Sequence, residues 1–233
     1  MDAKRIIPVL QIRAGQVLAA KDAVPPGAGR PADWACRLEQ EGADGILFQE
    51  LPDGAGASRA GWIRAVAGAL SIPFSLEAPF RDPADLEEAM AAGVDKVILA
   101  ALAAAEDPIL AATVQTFGRS HVAVAVDAFP ADGAWRVALA DGDRDALAWM
   151  AELELRGAGE ILLRARPEAE AAAALVQSAA RLALGVLFLS SGDRVPAAEA
   201  LLHGADGVAY PAAAGTAGQW KFALGAHGLT FRQ

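Results

Sequence analysis

Three carboxylates stand at the ends of short apolar runs: Glu50 after Gly45–Gln49, Glu77 after Ile72–Leu76, and Asp127 after His121–Val126. If those runs are parallel strands, the carboxylates gather near one rim, where carboxyl groups can pass protons to and from a substrate. Asp127 has two readings, a general acid/base and a loop-capping aspartate. After another apolar run, Ser190, Ser191 and Gly192 offer two hydroxyls and a glycine N–H to an anion, with Asp193 opposing it. Arg81, Arg164 and Arg166 are the cations that could compensate acidic neighbours. Other chemistry is poorly supplied. His121, His203 and His227 are scattered without metal-ligand spacing, so no metal site is expected, and no cofactor either. Cys36 is the single cysteine; it allows no disulfide within the chain and reads as a small buried hydrophobe on a helix. The Gly215-Thr216-Ala217-Gly218 segment matches no phosphate-loop pattern, though it could present N–H groups at a helix start.

The elements that must hold these residues follow from periodicity. Strands are predicted at Arg5–Leu10, Gly45–Gln49, Ile72–Leu76, Lys96–Ala100, His121–Val126, Glu160–Arg164, Val186–Leu189 and Gly207–Tyr210. Helices are predicted between them near 31–41, 59–69, 83–92, 106–117, 144–156, 167–182, 195–203 and 217–226. Apolar strands each followed by a helix imply a parallel sheet covered on its outer face, and eight such units close most readily into a (βα)₈ TIM barrel. Residues 1–233 are read as one such domain. Gly42-Ala43-Asp44, Gly93-Val94-Asp95, Gly157-Ala158-Gly159 and Gly204-Ala205-Asp206 recur before alternate strands, each glycine placed to end a helix in the left-handed conformation. Pro31 and the Asp82-Pro83 pair suit helix starts. The stretch around Pro25, Pro26 and Gly27–Gly29 reads as a loop. Trp62, Trp149 and Trp220 fall at apolar helical spacing and read as packing residues.

Composition narrows the function classes. A chain of 233 residues with 54% hydrophobic content and a mean hydropathy of +0.28 can bury a large core. The formal net charge is −9, and the sequence has no Lys/Arg stripe. Nucleic acid is therefore not an expected partner. No apolar run is long enough to span a bilayer, and the first residues carry no secretory pattern, so a cytoplasmic protein away from membranes is expected.

Ala3-Lys4-Arg5-Ile6-Ile7-Pro8-Val9-Leu10 resembles the first strand of the cyclase subunit of imidazole glycerol phosphate synthase. Glu41-Gly42-Ala43-Asp44, Ala92-Gly93-Val94-Asp95-Lys96-Val97 and Gly157-Ala158-Gly159-Glu160-Ile161-Leu162-Leu163 match later segments. Val124-Ala125-Val126-Asp127-Ala128, followed by Gly133-Ala134-Trp135-Arg136-Val137, resembles that family's strand-five aspartate and the hairpin behind it. The resemblance keeps register along nearly the whole chain; a sister isomerase family shares the fold. It implies a histidine-biosynthesis enzyme, a lyase that cyclises a ribulosyl bisphosphate with ammonia. That chemistry uses carboxylates on strands one and five and a phosphate site for each end of the substrate.

This chain departs from that pattern at the rim. The first carboxylate corresponds to Gln11, whose amide exchanges no proton near neutral pH; losing such a group forfeits on the order of 10²–10⁴ in rate. Asp127 stands at the second position. The glycines expected after the third strand are Glu77-Ala78-Pro79-Phe80, and Pro79 has no N–H to offer phosphate. Ala19 replaces a lysine, with Lys21 near it, and the sixth loop shortens to Ala165-Arg166-Pro167. A carboxylate ~6 Å from a phosphate oxygen costs about 3 kcal/mol per unit charge at an effective dielectric of ~20. Glu50, Glu77 and Asp127 together are therefore expected to repel a bisphosphate unless arginines compensate. At the opposite end, Arg5, Lys96 and Glu160 match three of four charged residues that form the family's gate for ammonia from a glutaminase partner; the fourth is Gly45. Asp95 matches a partner-facing position. Three functions follow: an active cyclase, a non-catalytic paralogue that binds a partner or another ligand, or a barrel repurposed for a cationic or neutral substrate through Asp127 and Glu77.

Overall fold

The computed structural model describes residues 3–18, 29–52, 59–80, 82–101, 104, 109–166 and 170–231. Ala19, Lys21, Pro25, Pro26, Gly27, Arg81 and Pro167 lie outside them. The strands are β1 (Arg5–Arg13), β2 (Gln16–Val17), β3 (Ile46–Glu50), β4 (Phe74–Glu77), β5 (Lys96–Ala100), β6 (Val122–Ala131), β7 (Ala134–Leu139), β8 (Gly142–Asp145), β9 (Glu160–Ala165), β10 (Gly185–Leu189) and β11 (Gly207–Pro211). Between them run α1 (Pro31–Gln40), α2 (Ala60–Ala67), α3 (Pro83–Ala91), α4 (Ile109–Phe117), α5 (Ala146–Leu155), α6 (Glu170–Ala179), α7 (Arg194–Leu202) and α8 (Ala217–Gly225).

The parallel strands pair in the order β1-β3-β4-β5-β6-β9-β10-β11, and β11 returns to β1 with Arg5 beside Gly207. The sheet is thus a closed eight-stranded barrel, as the alternation of elements predicts. β6 runs on past the rim and pairs antiparallel with β7, which pairs with β8. The hairpin behind Asp127 was expected; the third strand, β8, was not.

Alternation along each strand sorts the side chains into two cores. Ile7, Leu47, Ile98, Ala125, Leu162 and Leu187 fill the barrel interior. Ile6, Phe48, Leu76, Val97, Phe188 and Tyr210 face outward against the helices. Trp149 and Trp220 are fully buried in that outer layer, and Tyr210 stacks on Trp220 at 4.3 Å between ring centroids. Cys36 differs from its sequence reading: it sits on α1 with intermediate exposure, 3.8 Å from the Ala69 carbonyl oxygen, because the buried face of α1 is given to Ala35 and Leu38.

The repeated Gly-x-Asp segments have a specific job. The glycines at 42, 93, 157 and 204 all adopt φ between 89° and 115°, the left-handed stop after a helix. The aspartate that ends three of the segments accepts a backbone N–H from the first or second residue of the preceding barrel strand. Asp44 takes Ile6 at 2.8 Å, Asp95 takes Phe74 at 2.9 Å, and Asp206 takes Val186 at 2.8 Å. Each carboxylate thereby ties two neighbouring strands at the barrel bottom. The fourth segment ends in Gly159, where any Cβ would overlap the Arg119 carbonyl oxygen, so a side chain is excluded. Asp82 caps α3 by accepting from Asp85 N at 2.9 Å.

Candidate active site and its relatives

Inward-facing positions at the upper ends of the barrel strands put five side chains into one belt across the mouth. The Gln11 amide donates to Gln49 Oε1 at 3.2 Å, and Gln49 donates to Glu77 Oε2 at 3.0 Å. Glu77 accepts a charge-assisted bond from Arg164, whose other arm reaches Asp127 Oδ2 at 3.1 Å. The Arg164 and Glu77 side chains keep 11% and 14% of their surface exposed; Asp127 keeps 57%. Burial disfavours the charge on Arg164, but Glu77 and then Asp127 outweigh it and hold its pKa above the ordinary guanidinium value. Both mouth carboxylates therefore share one cation, and the capping reading of Asp127 gives way to an ion pair.

Glu50 requires a correction. One residue beyond inward-facing Gln49, it points out of the barrel, where its carboxylate meets Arg59 at 2.9 Å. Arg59 also holds Asp85 at 3.0 Å and lies over the Phe80 ring, so Glu50 belongs to a buried cluster between β3, α2 and α3. The mouth thus carries Glu77 and Asp127 with Arg164 between them, and the three expected carboxylates fall to two that share one cation.

The polar turn after β10 is occupied by its own bonds. The Ser190 hydroxyl is buried, donates to the Asp193 carbonyl at 2.7 Å and accepts from Gly192 N at 3.2 Å. Asp193 caps α7 by accepting from Val195 N at 2.9 Å, which puts a carboxylate where an anion would benefit from the helix dipole. Ser191 is exposed at the cavity wall. The start of α8 is similarly satisfied: Thr216 and Gln219 form a reciprocal capping box, and Gly218 N donates to the Glu41 carbonyl at 3.0 Å. The N–H groups of Thr216, Gly218 and Gln219 are thus engaged within the chain.

A cavity of about 930 Å³ opens beside the belt, over β9, β10, β11 and the end of β1. Gln11, Gln49, Arg164, Arg166, Ser190 and Ser191 reach it, and it extends toward Trp34, Arg37 and Glu41 on the α1 side. Sequence reading left out Gln49 as a site residue and treated Arg164 and Arg166 only as possible compensation. The signal for Gln49 was the strand alternation that places it beside Gln11; the cross-barrel reach of Arg164 had no local signal.

At the lower end, three predicted residues converge. Glu160 pairs with Arg5 through one oxygen and with Lys96 Nζ through the other at 2.6 Å. Burial pushes the Glu160 carboxyl up, and Arg5 and Lys96 more than reverse this, leaving it below the usual carboxylate range. Gly45 contributes no side chain, and a Cβ there would stand 3.1 Å from the Pro73 carbonyl oxygen. Among the described residues no group of three His, Cys, Asp or Glu side chains is placed to hold a metal. No helix among them is long and apolar enough to cross a membrane.

Comparison with known proteins agrees with this geometry. The family profile described as histidine biosynthesis protein matches residues 5–165. Imidazole glycerol phosphate synthase subunit HisF of Metallosphaera sedula is 33% identical over 170 residues, covering 70% of this chain and 68% of the relative. The HisF of Streptococcus sanguinis is 36% identical over 168 residues, or 69% and 67% of the two chains. The HisF of Campylobacter concisus is 34% identical over 172 residues, again 69% and 67%. With a closed barrel, a matching profile over most of its length and these identities, the chain belongs to the histidine biosynthesis protein family, as a divergent relative of HisF.

Proposed function

We propose that this chain is a HisF-type barrel that has lost the cyclisation step while keeping the scaffold around it. One observation carries the reading. At the strand-one position the acid/base carboxylate of the resembled enzyme is the Gln11 amide, hydrogen-bonded to Gln49, while Asp127 is tied to Arg164. An amide cannot exchange protons at neutral pH, so the pair of carboxylates that ring closure requires is broken. The internal bonds of Ser190 and Gly192 after β10, and the capping box of Thr216 and Gln219 at the start of α8, support the same reading for phosphate binding. The cytoplasm is the proposed compartment, as for a small-molecule barrel.

The test is an ammonia-dependent cyclase assay with the ribulosyl bisphosphate substrate of the HisF reaction, run on the native chain and on Gln11→Asp. Turnover is expected from neither, because Gln11→Asp restores the carboxylate without restoring the lost glycines after β4. Turnover by the native chain overturns the proposal. Turnover by Gln11→Asp alone confines the defect to the acid/base pair.

A second reading is favoured by the lower ring. Arg5, Lys96 and Glu160 meet at the N-terminal face, where the resemblance to the cyclase subunit implies a gate for ammonia from a glutaminase subunit. In that reading the chain serves as the barrel half of a two-subunit assembly. Co-purification with a glutaminase subunit supports it; a monomeric native chain in the presence of one counts against it.

A further inference from the structure

We propose that the cavity over β9–β11 binds a small carboxylic acid, and that the ligand's carboxylate takes Arg164 from Asp127. This deepens the reading of the mouth given above and rests on it in one respect: the cavity is assigned a ligand other than a bisphosphate. At about 930 Å³ the cavity has the size of a small-molecule site. Arg164 near the end of β9 and Arg166 just past it both line the cavity. Arg166 is exposed and has no side-chain partner among the described residues. Glu41 also lines the cavity, but Arg37 already holds it at 2.8 Å, so the free charge facing a ligand is cationic.

The two arms of Arg164 are unequal, and this makes exchange feasible. Its bond to Glu77 is among the most buried of the mouth, whereas Asp127 is 57% exposed and lies outside the cavity wall. A pair with one solvent-exposed partner is weaker than the buried pair beside it. The group it would yield to is chemically its own kind: a carboxylate matches the guanidinium fork that already holds one. Arg166 then supplies the second cation. Binding leaves Asp127 without a cation, next to the bound acid.

The full-length chain is titrated calorimetrically with D-glycerate, glycerol 3-phosphate and glycerol, which share a carbon frame and differ in headgroup. D-Glycerate is expected to bind with a Kd on the order of 1 mM or tighter, and glycerol not to bind. Asp127→Asn removes the competitor for Arg164 and tightens D-glycerate about two- to fivefold. Arg166→Gln weakens it by about fivefold or more. Both altered residues are exposed, and thermal melting verifies that the variants fold. Binding of glycerol 3-phosphate in place of D-glycerate overturns the ligand class. An affinity unchanged by Asp127→Asn overturns the exchange, and absence of D-glycerate binding overturns the site. None of these outcomes bears on cyclase turnover, which is decided by the bisphosphate assay, and turnover there leaves the glycerate titration to be judged on its own.

Discussion

Arg164 on β9 reaches Glu77 on β4 across the two strands between them, β5 and β6. The bond is a chord across the barrel rim, made by a residue whose register partner on the adjoining strand β6 is Asp127. It links the two sides of the mouth more directly than any backbone ladder does, and it sets the charge that a ligand meets.

Arg164→Leu leaves Glu77 mostly buried without its cation and is expected to destabilise the fold by about 3–5 kcal/mol. The double variant Glu77→Leu with Arg164→Leu removes both charges and should recover most of that loss, since a buried ion pair contributes little relative to apolar residues of similar volume. Urea unfolding of both variants measures this. Equal stability of the native chain and Arg164→Leu would show that the chord carries no structural weight.

The lower ring predicts a pH dependence of defined sign. Arg5 and Lys96 hold Glu160 below its ordinary value in the folded state, so the unfolded chain binds the proton more readily. The ring's stabilisation is therefore full above about pH 4.3 and is lost as pH falls through the depressed folded value. Glu160→Gln removes that component. Its melting temperature should lie below that of the native chain at neutral pH, and the gap should narrow toward about pH 3.

The aspartates that tie strand starts differ in how much depends on them. Asp44 is buried and accepts from both Ile6 N and Lys221 Nζ, each at 2.8 Å. Asp95 is exposed and accepts from Phe74 N at 2.9 Å. Asp44→Ala is expected to cost about 3 kcal/mol or more, as it strands a buried amide and a partly buried ammonium. Asp95→Ala should cost about 1 kcal/mol. Chemical denaturation of the two variants side by side tests the ranking.

Two glycines should respond oppositely to the same change. Gly159→Ala forces a methyl group against the Arg119 carbonyl and is expected to destabilise by about 1–3 kcal/mol. Gly61 lies within α2, with nothing within 4 Å of a Cβ. Gly61→Ala should stabilise by about 0.5–1 kcal/mol through helix propensity. A stabilising Gly159→Ala would contradict the packing described for the start of β9.

The barrel was legible because its signals are local. Apolar runs such as Lys96–Ala100 and the alanine-rich helices between strands mark elements within about three residues of where they lie, and the Gly-x-Asp segments mark the turns. Asp127, Arg5, Lys96 and Glu160 could likewise be placed at one barrel end or the other from strand register alone. The amino-acid sequence by itself thus determined the fold and its repeats; the expectation for Gln11 came from the resemblance to the cyclase. The sequence did not determine partners. Glu50 and Gln49 are adjacent, and only the pleat of β3 sends one outward to Arg59 and the other into the mouth beside Glu77. Arg164 lies 87 residues from Glu77, and only barrel closure brings that guanidinium to that carboxylate. Charge neutralisation at the mouth depends on distances across the barrel, which chain order does not encode, so the tertiary structure decided which carboxylates a ligand would face.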